Sequence, residues 1–243
     1  MSHHNRVAVV TGAGRGIGQA ISTTLAERGA SVVLVDMADP SETASKISGE
    51  TLSITADVSH EDEWARIAAE TVERFGQADI VINNAGIFEL NPIEELDLLV
   101  WRKVMSVNLD AHFFSAKHFV PLMRKRQWGR FVSISSNSIG LAQQGMSAYM
   151  ASKMGVLGFV RGLANDVGGD GITVNALLPS LTRTPGTAHA IDMAAPPVVA
   201  AQAIKRIAEP QDIVGAVAFL TSDDAAFMTG QSVVVDGGLY RSS

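Results

Sequence analysis

The sequence predicts an α/β protein built on one doubly wound sheet of about seven parallel strands. Three observations carry the prediction. Short runs rich in Val and Ile alternate with helical patterns along all 243 residues. The runs lack the period-two alternation of half-exposed strands, as expected where both sheet faces are covered. A glycine-rich turn joins the first run to the first helical pattern.

The strands are expected at Val7 to Val10, Ser31 to Val35, Leu52 to Ala56, Ile80 to Ile82, Arg130 to Ile134, Ile172 to Ala176 and Ser232 to Val235. Helical stretches are expected at Glu61 to Phe75, Val100 to Arg126 and Ala148 to Val167. No repeat or low-complexity linker divides residues 1–243, so a single domain is expected. Residues 180–205 break the regularity with Pro185, Pro196 and Pro197 and are expected to form a substrate loop or lid, a passive surface connection being the alternative.

Bulk composition narrows the function. The formal charge of −6 disfavours a nucleic-acid partner. No apolar stretch reaches membrane-spanning length and the N-terminus carries no signal-like segment, so a cytoplasmic protein without a membrane partner is expected. The absence of cysteine excludes disulfides and thiol catalysis. His112 and His118 do not share a helix face, so no metal site is expected, and His3 and His4 read as a loose tail. The sixth histidine, His189, adds no ligand cluster.

The chemistry-bearing residues begin at Thr11-Gly12-Ala13-Gly14-Arg15-Gly16-Ile17-Gly18. Glycines allow a tight turn and close approach of a phosphate to the backbone, and a helix N-terminus offers free amides and a positive dipole end. Gly12, Arg15, Gly16, Ile17 and Gly18 are therefore candidate dinucleotide contacts. Asp36 closes the second strand, where a carboxylate can accept from both adenosine ribose hydroxyls and repel a 2′-phosphate. NAD is favoured over NADP on that ground, with Arg15 the one basic residue placed to receive a phosphate. Asp57 and the Val58 backbone are placed for the adenine, although Asp-Val-Ser also reads as a helix start. Tyr149 and Lys153 share a helix face at i and i+4, so the ammonium is expected to lower the phenol pKa.

Taken in order, Thr-Gly-x-x-x-Gly-x-Gly at 11–18, Asn-Asn-Ala-Gly at 83–86, Asn108, Ser136, Tyr-x-x-x-Lys at 149–153, Asn175 with Pro179, and Asp-Gly-Gly at 236–238 resemble the short-chain dehydrogenases/reductases along essentially the whole chain. The resemblance implies a Rossmann fold. It also implies that Tyr149 exchanges a proton with the substrate oxygen and that Ser136 donates to that oxygen. Lys153 would hold the nicotinamide ribose, and Asn108 a water of a proton relay. It places Asn84, Ala85 and Gly86 beside the cofactor and Pro179, Thr182 and Thr184 beside the nicotinamide carboxamide. Ser180 stands where the family often has glycine.

The segment from Gly171 to Thr184 is similar to family members that oxidise secondary alcohols of the 1-phenylethanol type. That likeness implies a small aryl or alkyl alcohol and its ketone, with Phe88, Asn137, Ser138, Gln143, Met146, Pro185 and Met193 as candidate pocket residues. A 3-oxoacyl-(acyl-carrier-protein) reductase is the alternative. It is disfavoured because Gln127, or Trp128 beside it, and Asp170 stand where carrier-protein-binding members are similar in carrying arginine, with Lys125 and Arg126 as partial compensation. A non-catalytic NAD-binding regulator is the alternative of another class, although it would be expected to lack the tyrosine, lysine or serine. The resemblance also implies a homotetramer, with Leu157 and Phe159 as candidate contacts.

Overall fold

A computed structural model describes residues 2–141, 144–188 and 191–240. Gln143 and His189 lie outside the described residues. The seven expected strands form β1 (Val7–Thr11), β2 (Ser31–Asp36), β3 (Thr51–Thr55), β4 (Ile80–Asn83), β5 (Gly129–Ile134), β6 (Ile172–Pro179) and β7 (Ser232–Val235). All pair in parallel in the order β3-β2-β1-β4-β5-β6-β7. The order reverses between β1 and β4, which opens a crevice at the carboxyl ends of those strands.

Both sheet faces are buried, which explains the unbroken apolar runs. Val7 and Val9 face one core with α3 (Glu61–Phe75), α5 (Ala111–Arg126) and α6 (Ser147–Val167). Ala8 and Val10 face the other with α1 (Gly16–Glu27) and α8 (Pro210–Leu220). Alternate residues of one strand thus serve opposite layers. Helix α3 shows the local logic. Glu61, Asp62 and Glu63 sit at its positive end and Arg74 at its negative end. Gly76 closes it at φ 74°. Trp64, Ile67, Ala68 and Thr71 form its buried stripe.

Four expectations are corrected. Strand β6 continues past the expected Ala176 through Leu177 and Leu178 to Pro179. The stretch Val100 to Arg126 is not one regular helix: α4 (Leu98–Met105) is followed by a π-helical turn, Ser106–Asp110, before α5. The 180–205 segment is not wholly irregular, since it contains α7 (Ile191–Ala201) despite Pro196 and Pro197. Nor is the N-terminus loose. The backbone N–H of His3 donates to Arg28 O at 2.9 Å, and its buried ring bonds Thr221 Oγ1 at 2.9 Å. Leu157, a candidate intersubunit contact, belongs to the core, and Phe159 packs partly against it.

Burial holds His112 neutral, its pKa pushed down to about 3 by desolvation first and by the Lys153 charge second. Its folded pKa lies below the unfolded value, so the unfolded chain takes up the proton as the pH falls below about 6.5, and stability drops with it. We expect this group to cost about 2 kcal/mol between pH 7 and pH 5. A His112→Leu variant should show a correspondingly shallower loss of denaturant midpoint over the same range; an unchanged pH slope would remove His112 as the cause.

Candidate active site

The glycine turn is shaped by contacts that exclude side chains. Gly12 has φ +64°, and a Cβ there would lie 2.8 Å from Asn84 Nδ2. A Cβ on Gly18 would lie 2.0 Å from Gly12 O. Arg15 precedes α1 in extended conformation with no side-chain cap on the helix, so the first amides keep their capacity for an anion. Gly16 is overlain by Thr184, whose Cβ would be 3.2 Å from a Cβ at position 16, with Pro185 Cδ at 4.0 Å. Ile17 packs on the α1-side core.

The strand ends around this turn are knitted together. Thr11 Oγ1 accepts from Asn84 N and Ala85 N, each at 3.0 Å, and Asn84 Nδ2 donates to Thr11 O at 2.8 Å. Thr11 bridges the two strands where their order reverses, a role that no glycine pattern advertises. Asp36 sits at the end of β2 as expected, with Oδ2 accepting from Gly14 N at 2.9 Å and Oδ1 from Ala38 N at 3.1 Å. The Asp57 Oδ1 accepts from Ser59 N and Oγ, so this carboxylate serves the start of α3. The Val58 carbonyl is occupied by Trp64 Nε1 at 2.9 Å.

On the far side of the crevice, α6 and the end of β5 bring Ser136, Tyr149 and Lys153 together. Ser136 caps a short 3₁₀ turn, Asn137–Gly140, accepting from Ser138 N at 3.2 Å. It lies close enough to the Tyr149 phenol to bear on its proton affinity. Lys153 Nζ donates to Ile134 O at 2.8 Å, while Ser135 Oγ holds the Lys153 carbonyl at 2.9 Å. Asn108 lies on the π turn, with Oδ1 accepting from Ile87 N at 2.8 Å and Nδ2 donating to Ile87 O at 2.9 Å. A Cβ on Gly86 would stand 3.3 Å from Asn108 Oδ1 and 3.5 Å from Lys153 Nζ, which places those three positions side by side.

The electrostatics correct one expectation. Burial raises the Tyr149 phenol above its usual value, against the opposing effect of Ser136, and Lys153 does not lower it. The i,i+4 spacing puts the residues on one face, but the ammonium sits 5.7 Å from the phenol ring centre and is turned to Ile134 O. Burial pushes the Lys153 ammonium itself down to about 8.

Of the candidate pocket residues, Phe88 stands edge-on to Tyr149 with ring centres 5.0 Å apart and keeps half its surface open. Met146 is buried at the start of α6. Asn137 is turned away to Asp236 Oδ2 at 3.1 Å, a carboxylate that also accepts from Gly238, Leu239 and Tyr240 amides. Ser138 is buried near Ser136, and Met193 is 84% exposed on α7. Thr182 donates to Ser180 O, and Thr187 binds both Thr182 O and Thr184 N, which fixes the turn after Pro179. A cleft of about 1090 Å³ runs along Gly16, Gln19, Lys46, Arg183 and Pro185; neither Tyr149 nor Ser136 lines it.

The turn that a side chain would fill, the uncapped α1 terminus and the adjacent Asp36 carboxylate fit a dinucleotide. Gly18→Ala should lower affinity for nicotinamide dinucleotide by at least about tenfold in a fluorescence titration, because the methyl must displace the Gly12 carbonyl. Affinity within twofold of the parent would show that the turn does not hold the phosphates.

A family model described as Enoyl-(Acyl carrier protein) reductase matches residues 12–240. The chain is 37% identical to cis-4-hydroxycyclohexanecarboxylate dehydrogenase of Sinomonas cyclohexanicum over 96% of each sequence. It is 36% identical to 3-oxoacyl-(acyl-carrier-protein) reductase FabG of Escherichia coli K12 over 99% of each. A Beutenbergia cavernae structure, described as an NAD(P)-dependent gluconate 5-dehydrogenase with bound NADP, superposes with a TM-score of 0.91 at 37% identity, covering 98% of each chain. Similarity at this level over nearly every residue makes the chain a member of the short-chain dehydrogenases/reductases, oxidoreductases that act on hydroxyl and keto groups with a nicotinamide dinucleotide.

Proposed function

We propose that the protein is an NAD-dependent dehydrogenase interconverting a small secondary alcohol, aryl or alkyl, and its ketone. The observation that carries this reading is the convergence of Ser136, Tyr149 and the buried Lys153 at the end of β5, with the half-open Phe88 ring edge-on to Tyr149 at 5.0 Å. Ser136 donates to the substrate oxygen and Tyr149 takes its proton in oxidation, or returns it in reduction. A positioned group of this kind contributes roughly 10²–10⁴-fold. When bound, the nicotinamide ring supplies the hydride acceptor. Lys153 would hold the cofactor ribose and, with Asn108 close by across Gly86, pass the proton outward. Pro179, Thr182 and Thr184 would border the nicotinamide carboxamide, and Thr184 and Pro185 close on the Gly16 turn. Residues 180–205 act as the lid: Pro196 and Pro197 remove two amide donors from α7, which weakens its hold as a rigid element.

The NAD assignment rests on Asp36. Two unit charges at about 4 Å repel by roughly 1 kcal/mol in water and roughly 4 at intermediate dielectric, enough to disfavour a 2′-phosphate at that strand end. Met37 follows, exposed, and brings no compensating charge.

The substrate class is supported by the apolar, half-exposed Phe88 ring against Tyr149 and by the relative named for a cyclic hydroxy acid. Similarity to carrier-protein reductases favours a second reading, a 3-oxoacyl thioester substrate. Against it, Arg124 is engaged by Asp170 at 2.6 Å and Arg126 by buried Asp79 at 3.4 Å, which leaves the exposed Lys125 as the main cation at the end of α5 for an acidic carrier. A homotetramer in the cytoplasm completes the reading. The outward face of α6 supports the assembly, with Met154 exposed and open space over Gly158 and Gly162.

Tyr149→Phe should lower turnover by about 10²–10⁴-fold with NADH binding retained; activity above a few per cent of the parent would remove the tyrosine from its role. Parent enzyme should oxidise 1-phenylethanol or cyclohexanol faster with NAD than with NADP and leave a 3-oxoacyl thioester unreduced. Reversal of either preference would overturn that part of the assignment, and binding of NAD with no turnover of any alcohol or ketone would point to a regulator. Alcohol oxidation should rise with pH through about 8, where Lys153 loses its proton, and ketone reduction should fall over the same interval.

A further inference from the structure

Thr43 belongs to none of the motifs above, yet it is completely buried on α2 (Ser41–Ser45) against the glycine turn. Its Oγ1 donates to Ala13 O at 2.9 Å and Gly14 O at 3.1 Å. It accepts from Gln19 Nε2 at 2.8 Å, and that amide also reaches Gly14 O at 3.3 Å. On the opposite side of the same residue, Gly14 N–H donates to Asp36 Oδ2 at 2.9 Å. A Cβ on Gly14 would lie 3.0 Å from that oxygen, so the glycine and the carboxylate are in close contact. Ala13 N is tied to Val35 O at 3.1 Å. The Ala13–Gly14 peptide is thus clamped at both ends, its N–H by the Asp36 carboxylate and its carbonyl by the Thr43 hydroxyl, which also holds the carbonyl of the next peptide.

We infer that Thr43, oriented by Gln19, is a positioning residue that aims Asp36 at the adenosine ribose and thereby sets the preference for NAD over NADP. The inference rests on the NAD reading proposed above. A carboxylate has about four lone-pair sites. Gly14 N and Ala38 N take one on each oxygen, which leaves the remaining sites directed by those two bonds. Removing the Thr43 hydroxyl leaves the Ala13 and Gly14 carbonyls without that buried donor. The Gly14 peptide is then free to rotate, its N–H leaves Asp36, and the carboxylate loses the bond that aims it.

Thr43→Val keeps the shape and deletes the hydroxyl; Thr43→Ser keeps the hydroxyl. Calorimetric titration with NADH and NADPH reads the effect without turnover. We expect Thr43→Val to bind NADH about five- to tenfold more weakly, with NADPH affinity and kcat at saturating NADH within about twofold of the parent and Thr43→Ser restoring NADH binding. Gln19→Leu should shift NADH affinity in the same direction by a smaller factor and serves as the second variant should Thr43→Val fail to fold. Parent-like NADH affinity in the valine variant, or in Gln19→Leu where it stands in, overturns the positioning role and leaves the NAD assignment standing. Equal weakening of both dinucleotides shows mere support of the turn and overturns the specificity role. A parent protein that binds NADPH more tightly than NADH overturns both.

Discussion

Burial of the Lys153 ammonium is the constraint on which the site depends. An unpaired ammonium inside a protein is costly, and it survives only with oxygen partners or by surrendering its proton. Lys153 does some of each, with Ile134 O at 2.8 Å and a pKa pushed down to about 8. The oxygen that holds it is the last carbonyl of β5, and Ser135, the next residue, grips the Lys153 backbone in return. The end of the sheet and the start of α6 are therefore locked across the crevice. The same lock fixes Tyr149 one turn earlier on the helix and, through the chain after β5, the Ser136 hydroxyl beside it.

This arrangement leaves the phenol unactivated by its own protein. Burial raises the Tyr149 pKa, and the nearby lysine spends its proton on a backbone carbonyl. A base of this kind gains from whatever next enters the crevice with hydroxyls for Lys153 or positive charge for the phenolate. Keeping the phenol protonated in the free protein is also what a group that must return a proton to a ketone requires.

The sheet was almost wholly legible in the sequence, because parallel strands covered on both faces must be apolar throughout and their run lengths show where they start. The error at β6 is instructive. Leu177 and Leu178 continue the run, and Pro179 still pairs with Val235 at the sheet margin, where its missing N–H is tolerable. The glycine turn and the i,i+4 pair were legible for the same local reason. What stayed hidden is set by distant partners. The π turn under Asn108 depends on the Ile87 backbone, and the anchoring of His3 on Thr221. The direction of the Tyr149 shift depends on where a long side chain turns once the sheet is closed. Thr43 is a single hydroxyl in an irregular connection, and its meaning comes only from carbonyls thirty residues earlier.

The double engagement of Asp36 alters how cofactor choice is built. If the carboxylate only repelled a 2′-phosphate, exchanging it would move the enzyme cleanly from one dinucleotide to the other. Here the same oxygens hold Gly14 N and Ala38 N, so the discriminating charge is also a strut of the phosphate turn. Removing it would relieve repulsion of a 2′-phosphate while loosening the amides that both dinucleotides need, effects that oppose each other for NADP; for NAD the loosening adds to the loss of the ribose acceptor. On the proposed preference for NAD, exchange of Asp36 alone is therefore not a clean switch, and a route to NADP use runs through added positive charge near Arg15 with Asp36 left to support the turn.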